Sequence, residues 1–263
     1  MAGESPSTPG CRHAGNQART LLFDADDTLW ENNVYFLHVT ERFLDVVERH
    51  QVDRESARRH LTETERRNIP QHGYGSRSFA VSMIEAFREL ARQGDPTTEE
   101  ELRALGHAIF NREIMELLPG AEEALRHLSR HCRLILVTKG DHDEQVRKLD
   151  RSGLAEYFDS VEVVPEKNEE TYRKLVKRLQ LSPESTWMIG NSPRSDINPA
   201  LAAGLNAILV PHPSTWELEL EEVVDGGERL MVVDNLGEVM ALFVSPGGAT
   251  ADTPGSDPGT PRD

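Results

Sequence analysis

Residues 20–30 read TLLFDADDTLW, and this stretch decides the fold. Thr20, Leu21, Leu22 and Phe23 form a short apolar run that Asp24 ends at once. A run this short, without polar alternation, is how a strand covered on both faces reads. Asp24, Ala25, Asp26, Asp27 and Thr28 follow, placing three carboxylates and a hydroxyl together. Carboxylates at i and i+2 past a strand end can face the same side, where they repel each other unless a cation lies between them. Oxygen ligands of this kind suit a hard ion such as Mg²⁺. A metal-bound carboxylate stays ionised and can attack an electrophile. Its neighbour, with a raised pKa, can serve as acid and then as base.

Similar apolar runs recur at residues 133–137, 161–164, 186–189, 207–210 and 230–233. Helical segments at 143–149, 169–179, 196–203 and 236–243 alternate with them. That alternation predicts a parallel α/β sheet, whose ligands bind beyond the carboxyl ends of the strands. The strand ends carry Thr138-Lys139-Gly140, then Pro165-Glu166-Lys167, then Gly190-Asn191-Ser192 running on to Asp196. A lysine and a hydroxyl beside paired carboxylates are what the oxygens of a transferring phosphoryl group need.

The long stretch between the first two runs reads as helical. Phe36, Val39, Phe43 and Val47 share one helical face, and Phe79, Met83, Phe87 and Leu90 share another. Leu102, Leu105 and Ile109 make a third, which opens with Thr98 and Glu101 at capping-box spacing. Residues 53–67 are more polar and are expected to face solvent. Residues 71–78, with His72, Tyr74 and Arg77, are expected to form a loop between helices of this insertion. The domain reading is therefore an α/β core of residues 19–30 and 115–244, with an inserted helical domain of 31–114. The flanking segments 1–18 and 245–263 are rich in Gly, Pro and Ser and are expected to be disordered tails.

The stretch from Phe23 to Leu29 resembles the first motif of the haloacid dehalogenase superfamily, DxDxT after an apolar strand. Leu134 to Thr138 resembles its second motif, Lys167 its third, and Met188 to Asp196 with Ala200 and Gly204 its fourth. The resemblance implies a Rossmann-like parallel-sheet core with an inserted all-helical C1 cap domain. It implies that Asp24 is the nucleophile of an aspartyl-phosphate pathway. Asp26 would protonate the leaving oxygen and then activate water, and its main-chain carbonyl would ligate Mg²⁺. Thr138 and Lys167 would hold the phosphoryl oxygens, with Lys139 a rival for the lysine role. Lys139, Tyr74 and Arg77 are the expected substrate-binding residues, the last two because a C1 cap loop overhangs the site. Asp24, Asp26, Asn191 and Asp196 are the expected metal set. One departure stands out: the fourth motif of the superfamily opens with Gly-Asp, and here it is Gly190-Asn191. An amide oxygen can ligate Mg²⁺, but without charge.

The implied activity is a phosphatase acting on a small phosphorylated metabolite such as a nucleotide, flavin mononucleotide or sugar phosphate. An acid at Asp26 favours that over a dehalogenase, because a leaving halide needs no proton. A phosphomutase, and a phosphate-binding regulatory protein that has lost turnover, are the alternatives. With 45 acidic against 29 basic residues the chain carries a formal charge of -16, which argues against nucleic-acid or anionic-membrane partners. No apolar run is long enough to span a bilayer. Cys11 and Cys132 are expected to be free thiols, which suggests a cytoplasmic protein, as monomer or homodimer. Gly190-Asn191-Ser192 is no nucleophile elbow, since Arg194 stands where the second glycine belongs.

Overall fold

The structure is a computed structural model that describes residues 19–91 and 94–243. The two expected tails, and Cys11 within the first, lie outside the described residues. The core strands are β1 (Thr20–Phe23), β2 (Arg133–Lys139), β3 (Ser160–Val164), β4 (Thr186–Gly190), β5 (Asn206–Leu209) and β6 (Leu230–Val232). All pairings are parallel, in the order β3-β2-β1-β4-β5-β6. The chain builds outward from β1 through β2 and β3, then restarts on the other side at β4. The carboxyl ends of β1 and β4 therefore flank the switch in strand order, where such sheets bind ligands.

Helices cover both faces of the sheet. Leu21 and Phe23 point into one apolar layer with Leu134, Leu136, Ile189 and Ile208. Leu22 points into the other with Ile135, Val137 and Met188. The first layer packs against α5 (Ala121–Leu128) and α9 (Leu236–Phe243), and the second against Tyr172 and Leu175 of α7 (Glu169–Leu179). Two-sided burial is why these strands read as unbroken apolar runs rather than as alternations. α6 (His142–Ser152) begins on a cap at Asp141, which accepts from Glu144 N at 2.9 Å. The segment expected as one helix over 196–203 is instead a π-helical turn, Pro193–Ile197, followed by a short α8, Asn198–Ala202.

The insertion holds α1 (Asn33–Arg49), α2 (Arg54–His72), α3 (Ser76–Ala91) and α4 (Pro96–Phe110) around an apolar cluster of their own. Val39, Phe43, Val47, Phe79, Met83, Phe87, Leu102 and Ile109 are all buried in it. Two expectations here need correction. α4 starts before Thr98: Asp95 is its cap, accepting from Thr97 N and Thr98 N, with Pro96 in the first turn. α2 is not wholly solvent-facing, since Ala57, Leu61, Thr64 and Asn68 lie buried along one narrow stripe. Gly106 of α4 sits against α3 so closely that a Cβ would collide with Ala80.

Cys132 is 2% exposed at the foot of β2 and forms no disulfide. Burial pushes its thiol up to about 11. The folded protein should therefore leave Cys132 unalkylated by iodoacetamide at pH 8, and denaturation should expose it. Mapping the alkylated peptides by mass spectrometry checks this; rapid labelling of Cys132 in the native state would contradict it. Among the described residues no helix is long and apolar enough to cross a membrane.

Candidate active site

Asp24 follows β1 directly, and its backbone N–H donates to Ile189 O of β4 at 2.9 Å. The turn behind it closes on itself, with Asp27 N donating to Trp30 O at 2.8 Å. Asp27 takes a left-handed backbone, φ 59°, and turns its carboxylate to the N–H groups of Asn32 and Asn33 at the start of α1. It thus caps that helix and leaves Asp24 to face the rim. Burial, and the charges of Asp26 and Asp24, push Asp27 up to about 7.

The floor of the site is an ionic triplet. Lys167 Nζ donates to Asp24 Oδ1 at 2.5 Å and to Asp196 Oδ1 at 2.7 Å. The lysine and Asp196 side chains are each 1% exposed. Burial works against the lysine's charge, but Asp196 and Asp24 outweigh it and hold its pKa above the ordinary lysine range. Burial and the charge of Asp24 push Asp196 up to about 7, with Lys167 opposing. Asp196 caps nothing: Ser192 caps the π-helical turn, and the Asp196 carboxylate folds back to accept from Ser192 N at 3.0 Å. Gly190 makes room for this, since a Cβ there would collide with that carboxylate.

Thr28 donates its hydroxyl to Asp24 Oδ2 at 3.0 Å and to Asn191 Oδ1 at 3.2 Å. Asn191 Nδ2 donates to Thr215 Oγ1 at 2.9 Å, and that hydroxyl donates onward to His212 O at 2.9 Å. With its nitrogen so engaged, Asn191 presents its oxygen toward Asp24. Asp24, Asn191 and Asp196 thus form a compact set of oxygen donors. Asp27, Glu31 and His212 gather as a second group behind the turn.

The two rival lysines separate. Lys167 reaches Asp24. Lys139 is held by Glu219 Oε1 at 2.5 Å and Ser195 Oγ at 2.8 Å, and lies 4.1 Å from the Tyr74 ring centre. Thr138, 2% exposed, lines the same cavity as Asp24 and Lys167.

Asp26 differs from expectation. Lys148 Nζ donates to its Oδ2 at 2.9 Å, Gln145 Nε2 at 3.0 Å, and Trp30 Nε1 donates to Oδ1 at 2.8 Å. Burial would raise the carboxyl, but Lys148 and these hydrogen bonds outweigh it and hold Asp26 below the usual carboxylate range. The expected raised pKa is thus replaced by a lowered one. Lys148 also approaches Glu144, which accepts from Ser76 N and Ser76 Oγ at the start of α3. A continuous polar chain therefore runs from the cap to Asp26.

Residues 71–78 divide between α2, a turn of Gly73, Tyr74 and Gly75, and α3. Tyr74 lines the cavity and donates to Glu166 Oε2 at 2.6 Å. Arg77 lies away from it, stacked at 4.8 Å on Phe110 and facing Asp141. A helical start at Ser76 turns that side chain away. The cavity between cap and core holds about 360 Å³.

A family model described as haloacid dehalogenase-like hydrolase matches residues 18–204. The chain belongs to that family. It is 29% identical over 240 residues to glyceraldehyde 3-phosphate phosphatase of Methanothermobacter thermautotrophicus, covering 86% of this chain and 99% of that one. It is 30% identical to phosphoserine phosphatase of Thermus thermophilus over 47% of this chain and 52% of that one. Among solved structures, a haloacid dehalogenase-like family hydrolase from Xanthomonas campestris superposes with a TM-score of 0.78 at 31% identity. That match covers 89% of this chain and 94% of that one. The chain is thus an enzyme, a haloacid dehalogenase-like hydrolase whose curated relatives include phosphatases.

Proposed function

We propose that the chain is a magnesium-dependent phosphomonoester hydrolase that acts on a small phosphorylated metabolite through an aspartyl-phosphate at Asp24. The observation that carries this reading is the buried triplet of Asp24, Lys167 and Asp196 at the floor of a metabolite-sized cavity. In this reading residues 31–114 are a cap closing over a core of 19–30 and 115–244. The phosphoryl group rests against Lys167 and Thr138, and Asp24 attacks phosphorus as the ester oxygen leaves. Asp26 gives that oxygen its proton, then takes one from the water that hydrolyses the acyl phosphate. Between turnovers Lys148 keeps Asp26 ionised. An incoming phosphate dianion competes for Lys148 and repels the carboxylate, which favours the protonated acid.

The donor set fits Mg²⁺. Asp24, Asn191 and Asp196 supply hard oxygens, joined by the main-chain carbonyl of Asp26. Such an ion would neutralise charge on the phosphoryl oxygens. Asn191 supplies an uncharged oxygen, so Asn191→Asp should lower the Mg²⁺ concentration giving half-maximal rate, by about tenfold. An unchanged or higher requirement would remove Asn191 from the ligand set. The function itself is tested on an aryl phosphate and a panel of phosphorylated metabolites. Turnover that needs Mg²⁺ and stops on chelation supports it; turnover that survives chelation, or none at all, sinks it.

A further inference from the structure

The cavity's cap wall carries a carboxyl group that no side chain among the described residues pairs. Arg58, Leu61, Thr62, Glu65 and Ile69 line it from one face of α2. Arg58 is engaged by Glu41. Glu65 has neither a hydrogen-bond nor an ion-pair partner among the described residues, and Glu217 adds a second carboxylate from the core side of the same cavity. Burial and the charge of Glu217 push Glu65 up to about 8. Four aromatic side chains line the same cavity. Phe36 and Phe79 meet edge to face at 5.3 Å, and Tyr74 and Trp216 at 6.2 Å. With its pKa raised to about 8 the half-buried Glu65 carboxyl stays largely protonated in the empty protein, and a cationic ligand that supplied the missing partner would ionise it. Carboxylates beside aromatic faces are suited to an ammonium group.

Resting on the phosphatase reading above, we propose that the wall around Glu65 and Glu217 is a subsite for a cationic nitrogen. The preferred substrates are then small phosphomonoesters bearing an amine or quaternary ammonium group. One end of such a molecule meets Lys167 and the other meets Glu65, so the cavity is complementary to a zwitterion. A substrate carboxylate here would face the charge of Glu217 and hold Glu65 in its protonated form. A neutral alcohol would satisfy a hydrogen bond without ionising Glu65.

The test uses the full-length enzyme with an aryl phosphate as reporter and two non-hydrolysable inhibitors of matched shape, aminopropylphosphonate and butylphosphonate. Neither inhibitor has a leaving group, so their inhibition constants compare the subsite alone. The amine should inhibit at least about tenfold more tightly than the alkyl compound. Glu65→Gln, which keeps the side chain's shape, should bring that ratio close to one, and Glu65→Lys should invert it. Equal inhibition of the wild-type enzyme by the two compounds overturns the inference and leaves the phosphatase reading standing, whether or not the variants fold. A ratio unchanged in Glu65→Gln also overturns it. Absence of aryl phosphate hydrolysis by the wild-type enzyme overturns the phosphatase reading and takes this inference with it.

Discussion

Asp24→Asn is expected to abolish hydrolysis of every phosphomonoester, by at least about 10⁴-fold, and to leave no phosphorylated enzyme. The substitution is isosteric: Lys167 can keep the remaining oxygen, and the Thr28 hydroxyl can turn to accept from the new amide nitrogen. It also removes a negative charge that repels the buried Asp196. The fold should therefore survive, and thermal unfolding should occur at or above the wild-type temperature. The loss is then chemical, because an amide is a poor nucleophile toward phosphorus. Asp26→Asn gives the complementary result. With an aryl phosphate the leaving oxygen needs no proton, so Asp24 becomes phosphorylated, and without a base the acyl phosphate persists. Mass spectrometry of the acid-quenched Asp26→Asn protein should find phosphate on Asp24. Phosphate on any other residue, or near-normal turnover by Asp24→Asn, would end the proposed pathway.

Much of this arrangement is legible in the chain because parallel sheets place chemistry at predictable points. Each of the six apolar runs became a strand; burial on both faces leaves few alternatives for the four inner runs, while the edge strands β3 and β6 are only partly covered and pair on one side. Asp24, Thr138, Lys167, Asn191 and Asp196 converge because each lies at or just beyond the carboxyl end of β1, β2, β3 or β4. Lys148 was not legible. It belongs to a highly charged helix, and nothing in its local pattern separates a lysine aimed at Asp26 from one facing water. The signal available was weak: Gln145, Lys148 and Leu149 share a helical face, and Leu149 is buried. Arg77 erred the other way. Its neighbours Gly73 and Gly75 suggested a loop, but Ser76 already starts α3, which turns Arg77 toward Phe110. The π-helical turn after β4 escaped because a single such turn is too short to show a sequence period of its own.

Lys167→Met is expected to cost both stability and turnover, and the two losses share one cause. The ammonium is the shared partner of Asp24 and Asp196, and the Asp196 side chain is as buried as the lysine's own. Removing one member of a buried ionic group leaves the others uncompensated, which costs about 3–5 kcal/mol. For a chain of this size that lowers the unfolding temperature by roughly 10 °C. Turnover should fall by at least about 10³-fold, since a positive charge beside the transferring phosphoryl oxygens is lost together with the group that positions Asp24. A methionine of similar length keeps the cavity filled, so packing loss contributes little. Scanning calorimetry with and without Mg²⁺ separates the contributions. A divalent ion drawn to two unbalanced carboxylates should raise the variant's unfolding temperature more than the wild type's, because it replaces part of the missing charge. Turnover should not return, because the ion cannot take the lysine's place between Asp24 and the phosphoryl group. An unfolding temperature equal to wild type in the variant would mean that the triplet is screened by solvent, contrary to the burial of all three groups.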